Sequence, residues 1–188
     1  MQPVRKLSLA EVEEPLRVVV VYEDTAAHLR ARHIRDYLVA HLGNEIQLQF
    51  SWWPFDLLQE AKDAKQSGGA AAAADLVIFS AQPGNEWPST VNSWVASWAR
   101  QRTGRPGAIA AIFSPSLPGS RGICGRQTSL HAVAKCAGMD FLPHEDGRLS
   151  SPNFAQADEF IKRVAPTAPM FQDAVDRPDS SPYWGING

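Results

Sequence analysis

The chain has 188 residues with 18 basic and 20 acidic side chains, a formal net charge of −2. No global field therefore favours nucleic acid or an anionic membrane surface as a partner, and the length suits one domain with a full core. No stretch approaches the roughly 20 consecutive apolar residues of a membrane-spanning helix. Residues 1–15 mix Arg5, Lys6, Glu11, Glu13 and Glu14 with scattered apolar positions, so they lack the apolar centre of a signal peptide and read as an N-terminal arm. Cys124 and Cys136 fit no metal-ligand spacing, and one pair is too little for a disulfide framework. Reduced thiols in a cytoplasmic protein are expected.

Residues 17–24 read Arg-Val-Val-Val-Val-Tyr-Glu-Asp. A run so uniformly apolar suits a central strand covered on both faces. Asp24 or Thr25 then caps a helix whose Ala27, Ala31, Ile34, Leu38 and His41 or Leu42 recur at helical spacing, and Gly43 supplies its stop. Ile46, Leu48, Phe50 and Trp52 alternate with Gln47, Gln49 and Ser51, the period of an edge strand with one drier face. Trp53 and Pro54 are expected to turn the chain, with Asp56 and Gln59 as a capping box for a helix over 57–74 that Gly68 and Gly69 weaken.

Leu76, Val77, Ile78, Phe79 and Ser80 form a second apolar strand, followed by a polar loop over 82–87. Pro88 and Ser89 open a helix with Val91, Trp94, Val95 and Trp98 as its inward stripe, and Arg100 and Arg102 complement the dipole at its end. A third apolar strand over 108–113 empties into a Gly/Ser/Pro loop over 114–126. A helix over 128–137 follows, with Leu130, Val133 and Ala134 inward and Gly138 as its stop, then a last strand over 139–142. Ser151 and Pro152 start a fifth helix bearing Phe154, Ala157, Ile161 and Val164, and 166–188 form a Pro-rich tail carrying Phe171, Tyr183 and Trp184.

Alternating strands and helices imply a parallel sheet with helices on both faces. The expected fold is an α/β, three-layer, doubly wound sheet of five parallel strands in the order 2-1-3-4-5, spanning 16–165. Ligands of such sheets sit beyond the carboxyl ends of the strands. That places three loops together, over 22–26, 80–88 and 114–126.

The first loop carries Glu23 and Asp24. Paired carboxylates can hold a divalent cation such as magnesium, whereas the plainer reading has Asp24 cap the helix and leaves Glu23 in water. Acidic and without glycine, the loop is a poor cradle for a phosphate dianion. The second loop offers Gln82, Asn85, Glu86 and Trp87, where an aromatic beside amides either stacks on a flat heterocycle or covers the top of the sheet. In the third, Gly119, Gly122 and Gly125 with Ser114, Ser116, Ser120 and Arg121 can wrap an anion or simply form a flexible crossover. His28, His33 and His41 lack two-histidine metal spacing, and no nucleophile elbow surrounds Ser80 or Ser114.

These segments resemble two families of flavodoxin-like architecture. Residues 20–24, 75–80 and 137–143 are similar to the first, third and last strand regions of response-regulator receiver domains, with Ser80 standing where that family has its phosphoaccepting aspartate and His144 where it has a lysine. Serine cannot form an acyl phosphate. Asn85, Glu86, Trp87 and Pro88, the glycine-rich stretch 114–125, and Leu130, His131, Gly138 and Met139 resemble NAD(P)H-dependent FMN reductases, with Glu23, Asp24 and Thr25 replacing the phosphate loop so that only Thr25 and Arg30 remain as donors. The first resemblance implies a non-catalytic, regulatory domain without a cofactor that acts through a protein partner and leaves a homodimer open. The second implies a flavin reductase with the flavin ring near Gln82, Asn85 and Trp87.

Overall fold

The structure is a computed structural model, and it describes residues 14–44, 46–102, 104–114 and 125–145, with side chains as far as 142. The expected arm, fifth helix and tail lie outside these residues. Five strands, β1 (Leu16–Tyr22), β2 (Leu48–Pro54), β3 (Leu76–Ala81), β4 (Ala108–Phe113) and β5 (Asp140–Glu145), form one sheet. Every pairing is parallel and the order is β2-β1-β3-β4-β5, which is the three-layer, flavodoxin-like arrangement expected from the sequence. Four helices are described: α1 (Thr25–Leu42), α2 (Ala61–Ala73), α3 (Ser89–Ala99) and α4 (Gly125–Ala137). None of them is long and apolar enough to cross a membrane.

The apolar runs are uniform because both faces of the middle strands are dry. Val18, Val20, Leu76, Ile78, Ala110 and Ile112 lie on the α1 side with Ala31, Ile34, Leu38 and Leu42. The alternate residues Val19, Val21, Val77, Phe79, Ile109 and Ala111 join the α2, α3 and α4 side with Ala71, Trp94, Trp98, Leu130 and Ala134. Along β3 and β4 every residue is buried. The edge strand β2 is half-buried along most of its length, as its alternation suggests.

Four expectations are corrected. The chain does not turn at Trp53: Trp53 and Pro54 continue β2, opposite Val21 and Tyr22. An edge position tolerates the proline, which has no amide to donate. Asp56 and Gln59 do not form a capping box. Phe55–Gln59 is a 3-10 turn that buries Phe55 and Leu58 at its i, i+3 spacing, and α2 starts later, after Glu60.

Nor do the glycines interrupt α2. Gly68 lies where α3 approaches, and a Cβ there would sit 3.4 Å from Ser97 Oγ, while the neighbouring Ser67 hydroxyl accepts from Trp94 Nε1 at 2.8 Å. Arg102, finally, does not serve the end of its own helix. It is buried and donates from Nη1 to the carbonyls of Ala71, Ala72 and Ala74 at 3.3, 3.4 and 2.6 Å, closing α2. Its Nη2 reaches the Arg105 and Pro106 carbonyls, and burial, with a smaller contribution from Arg105, pushes its pKa below the usual arginine value. Gly107 makes room, because a Cβ there would collide with Nη2 and approach the Asp75 carbonyl to 2.9 Å.

Trp98 is fully buried between the sheet and α2 and makes an edge contact with Trp94 at 5.7 Å. Trp98→Ala is expected to cost about 3–5 kcal/mol, measured as a lower urea midpoint with an unchanged slope.

Candidate functional site

The register brings three strand ends level: Tyr22 lies opposite Ser80, Ser80 opposite Ile112 and Ala81 opposite Phe113. The loops after β1, β3 and β4 therefore leave from one edge, where open parallel sheets bind ligands.

Asp24 is the N-cap of α1. Its Oδ1 accepts from the Ala27 amide at 2.7 Å and its Oδ2 from Gln82 Nε2 at 3.2 Å. The Ala27 amide bond chiefly holds its pKa below the usual aspartate value, with smaller help from Gln82 and Arg30 against the opposing effect of burial. Thr25, exposed, is the first residue of α1. The carboxylate thus occupies the helix terminus that would otherwise offer its amides to an anion.

Glu23 points elsewhere, toward α4. Its Oε2 accepts from the Gln82 amide at 2.7 Å, and both carboxylate oxygens accept from Arg126 Nη1, at 3.1 and 3.0 Å. The pair is mostly enclosed, with side chains 13% (Arg126) and 25% (Glu23) exposed. Arg126 is further anchored by bonds from Nη1 to the Gln82 carbonyl at 3.0 Å and from Nε to the Glu86 carbonyl at 2.7 Å. Its guanidinium lies 5.0 Å from the centre of the Trp87 ring, within the range of a cation–π contact.

The oxygens of the two acids are already engaged by Ala27, Gln82 and Arg126, and Glu23 has a guanidinium counter-ion. They do not fit a divalent cation, which needs several oxygens directed at one centre. Among the described residues no group of three or more His, Cys, Asp or Glu side chains is arranged to hold a metal.

Ser80 is fully buried, and its hydroxyl donates to the Ala27 carbonyl at 2.8 Å. It lies beneath the crevice and ties β3 to α1. Trp87 is buried as well, with Phe55, Phe79 and Phe113 around it at 5.9, 5.6 and 6.2 Å and Nε1 donating to the Arg126 carbonyl at 3.0 Å. The ring covers the top of the sheet, so it has no free face on which a heterocycle can stack.

Gln82 is the hub, since Ser114 Oγ donates to its Oε1 while its amide, carbonyl and Nε2 serve Glu23, Arg126 and Asp24. Asn85 is exposed, and its carbonyl packs so closely on Gly125 that a Cβ there would collide. Arg30 Nη2 donates to the Ala81 carbonyl at 3.1 Å. Gly119, Arg121 and Gly122 lie outside the described residues, as do Cys124 and the side chain of His144. Cys136 is an exposed free thiol on α4.

Arg126 is the residue that sequence reasoning missed. It follows the glycine-rich loop, but its partner Glu23 is 103 positions away, and no local pattern joins them.

No protein-family model matches the sequence, and neither does any curated protein. Solved structures are similar in fold. An oxidoreductase from Corynebacterium diphtheriae aligns at a TM-score of 0.56 and 16% identity over 87% of this chain and 99% of that one. A flavodoxin from Streptococcus pneumoniae aligns at 0.54 and 11% identity over 80% and 98%. An apo NADH:FMN oxidoreductase aligns at 0.53 and 14% identity over 85% and 98%. At these identities the likeness establishes the flavodoxin-like fold.

Two substitutions test the geometry. Asp24→Ala removes the cap and is expected to cost about 1 kcal/mol at neutral pH. Because the folded-state pKa is depressed, that contribution is present above the unfolded value of about 3.9 and fades as pH falls through the lower folded value, so wild-type and variant stabilities converge in acid. Arg126→Met strands the enclosed Glu23 carboxylate and is expected to cost about 1.5–3 kcal/mol. Adding Glu23→Ala should restore part of that loss, measured by urea unfolding of the single and double variants.

Proposed function

We propose that this chain is a flavodoxin-like domain that does not hold FMN by its phosphate and acts through contacts with another protein, in a regulatory role. The observation that carries this reading is the occupancy of the strand ends by the chain's own charges. Asp24 takes the Ala27 amide at the start of α1, and Glu23 takes the Gln82 amide and Arg126. A phosphate brought there would face two carboxylates, so the residues present do not fit the group that the neighbouring structures' names suggest. Phosphotransfer of the receiver kind is equally unsupported, because Ser80 is buried and its hydroxyl is already bonded.

A second reading, a flavin-dependent NAD(P)H reductase, is favoured by a different observation. Three similar structures with TM-scores above 0.5 are an oxidoreductase, a flavodoxin and an NADH:FMN oxidoreductase. None of the three is a receiver domain.

Titrating FMN into the purified protein separates the two. The chain has six tryptophans, and Trp87 lies directly beneath the strand-end loops, so a bound flavin would quench their fluorescence. The contact reading expects no saturable quenching and no flavin in the purified protein. A visible flavin spectrum at one FMN per chain would overturn it and establish the reductase reading as the one to pursue with NADH and NADPH.

A further inference from the structure

We propose that the Arg126 guanidinium and the Gln82 backbone amide form an oxyanion seat at the strand ends, which Glu23 fills from within the chain and which a free carboxylate can fill in its place.

The seat is built independently of its occupant. Arg126 is positioned by the Glu86 and Gln82 carbonyls at 2.7 and 3.0 Å and by the Trp87 ring. Its backbone is fixed on both sides, with the amide donating to the Gly84 carbonyl at 3.0 Å and the carbonyl accepting from Trp87 Nε1 at 3.0 Å. Gly84 leaves the guanidinium its space, since a Cβ there would sit 3.0 Å from Nε and 3.3 Å from Cζ. Five contacts therefore hold the arginine in place without Glu23.

Glu23 fills this seat incompletely. Both of its oxygens meet the same nitrogen, Nη1, at 3.1 and 3.0 Å, rather than two nitrogens of the fork. A carboxylate that is not tethered to β1 can engage two nitrogens in parallel, the stronger bidentate arrangement. With its side chain 25% exposed, Glu23 has a route into water when displaced.

Charge sets the preference. Asp24 lies on the other side of Gln82, 3.2 Å from Nε2, and displaced Glu23 stays nearby. A single negative charge is therefore accepted more readily than a phosphate dianion. The ligand class is a carboxylate, whether from a small acid or from an acidic side chain or chain terminus of a partner.

Formate is the probe, and the full-length protein is the subject. Melting temperatures of the wild type, Glu23→Ala, Glu23→Gln and Glu23→Ala/Arg126→Met are compared in sodium formate, sodium phosphate and sodium chloride at equal ionic strength. Glu23→Ala should gain about 2–4 °C or more in formate over chloride, with less gain in phosphate. Wild type should gain less than Glu23→Ala because formate competes with the internal carboxylate, and Glu23→Gln less still because its carboxamide fills the space. The double variant should gain nothing.

Equal melting temperatures of Glu23→Ala in formate and chloride would overturn the proposal. So would an equal gain in the double variant, which would mark a general salt effect, or a phosphate gain exceeding that of formate. If Glu23→Ala is unfolded in chloride, recovery of its near-ultraviolet circular dichroism in formate becomes the readout, and failure to recover counts against the seat. No flavin is used, so this result stands apart from the FMN titration.

Discussion

The structure depends on burying β1, β3 and β4 on both faces at once. A parallel strand in the middle of a sheet bonds its whole backbone to neighbours, and its side chains then have only apolar layers to enter. Val18 and Val20 go to the α1 side, Val19 and Val21 to the other. Because both parities face apolar layers, the sheet interior is almost wholly apolar, and Ser80 near the end of β3 enters it with its hydroxyl bonded to the Ala27 carbonyl. Polar side chains first become affordable where the strands stop, which is why Glu23, Gln82 and Ser114 all appear within two residues of a strand end.

At that edge the loops bond to one another. Gln82 receives Ser114, supports Asp24 and supplies its amide to Glu23, and Arg126 closes the group from α4. The same enclosure that makes the pair mutually stabilising makes either charge costly when left alone. A flavodoxin-like sheet normally presents a vacant set of donors here for a ligand. In this chain the donors at the ends of β1 and β3 already serve internal carboxylates.

The opposite edge is tied by a comparable device. Asp75 accepts from the Arg17 amide at 2.9 Å and from Arg105 at 2.9 Å, while Arg102 closes α2 against the approach to β4. Five carbonyls accept from the two terminal nitrogens of the buried Arg102, while its Nε is buried without a partner among the described residues. Both arginines make tertiary contacts that their neighbours in sequence do not reveal.

Strand identity, sheet order, the Asp24 cap and the inward stripes of α1 and α3 were legible in the residues, because each follows from periodicity or from a bond spanning three or four positions. Trp53, Pro54 and the Asp56–Gln59 pair misled for the same local reason: their neighbours suggest a turn and a capping box, whereas pairing with Val21 and Tyr22 extends the strand. The candidate site divides likewise. The sequence placed Glu23, Asp24, Gln82 and Ser114 at one edge. Only the folded chain decided that Trp87 and Ser80 face inward and that Glu23 meets an arginine 103 residues away. Local pattern determines which residues reach the strand ends. Which of them neutralise one another depends on contacts between distant segments, and these have no period to read.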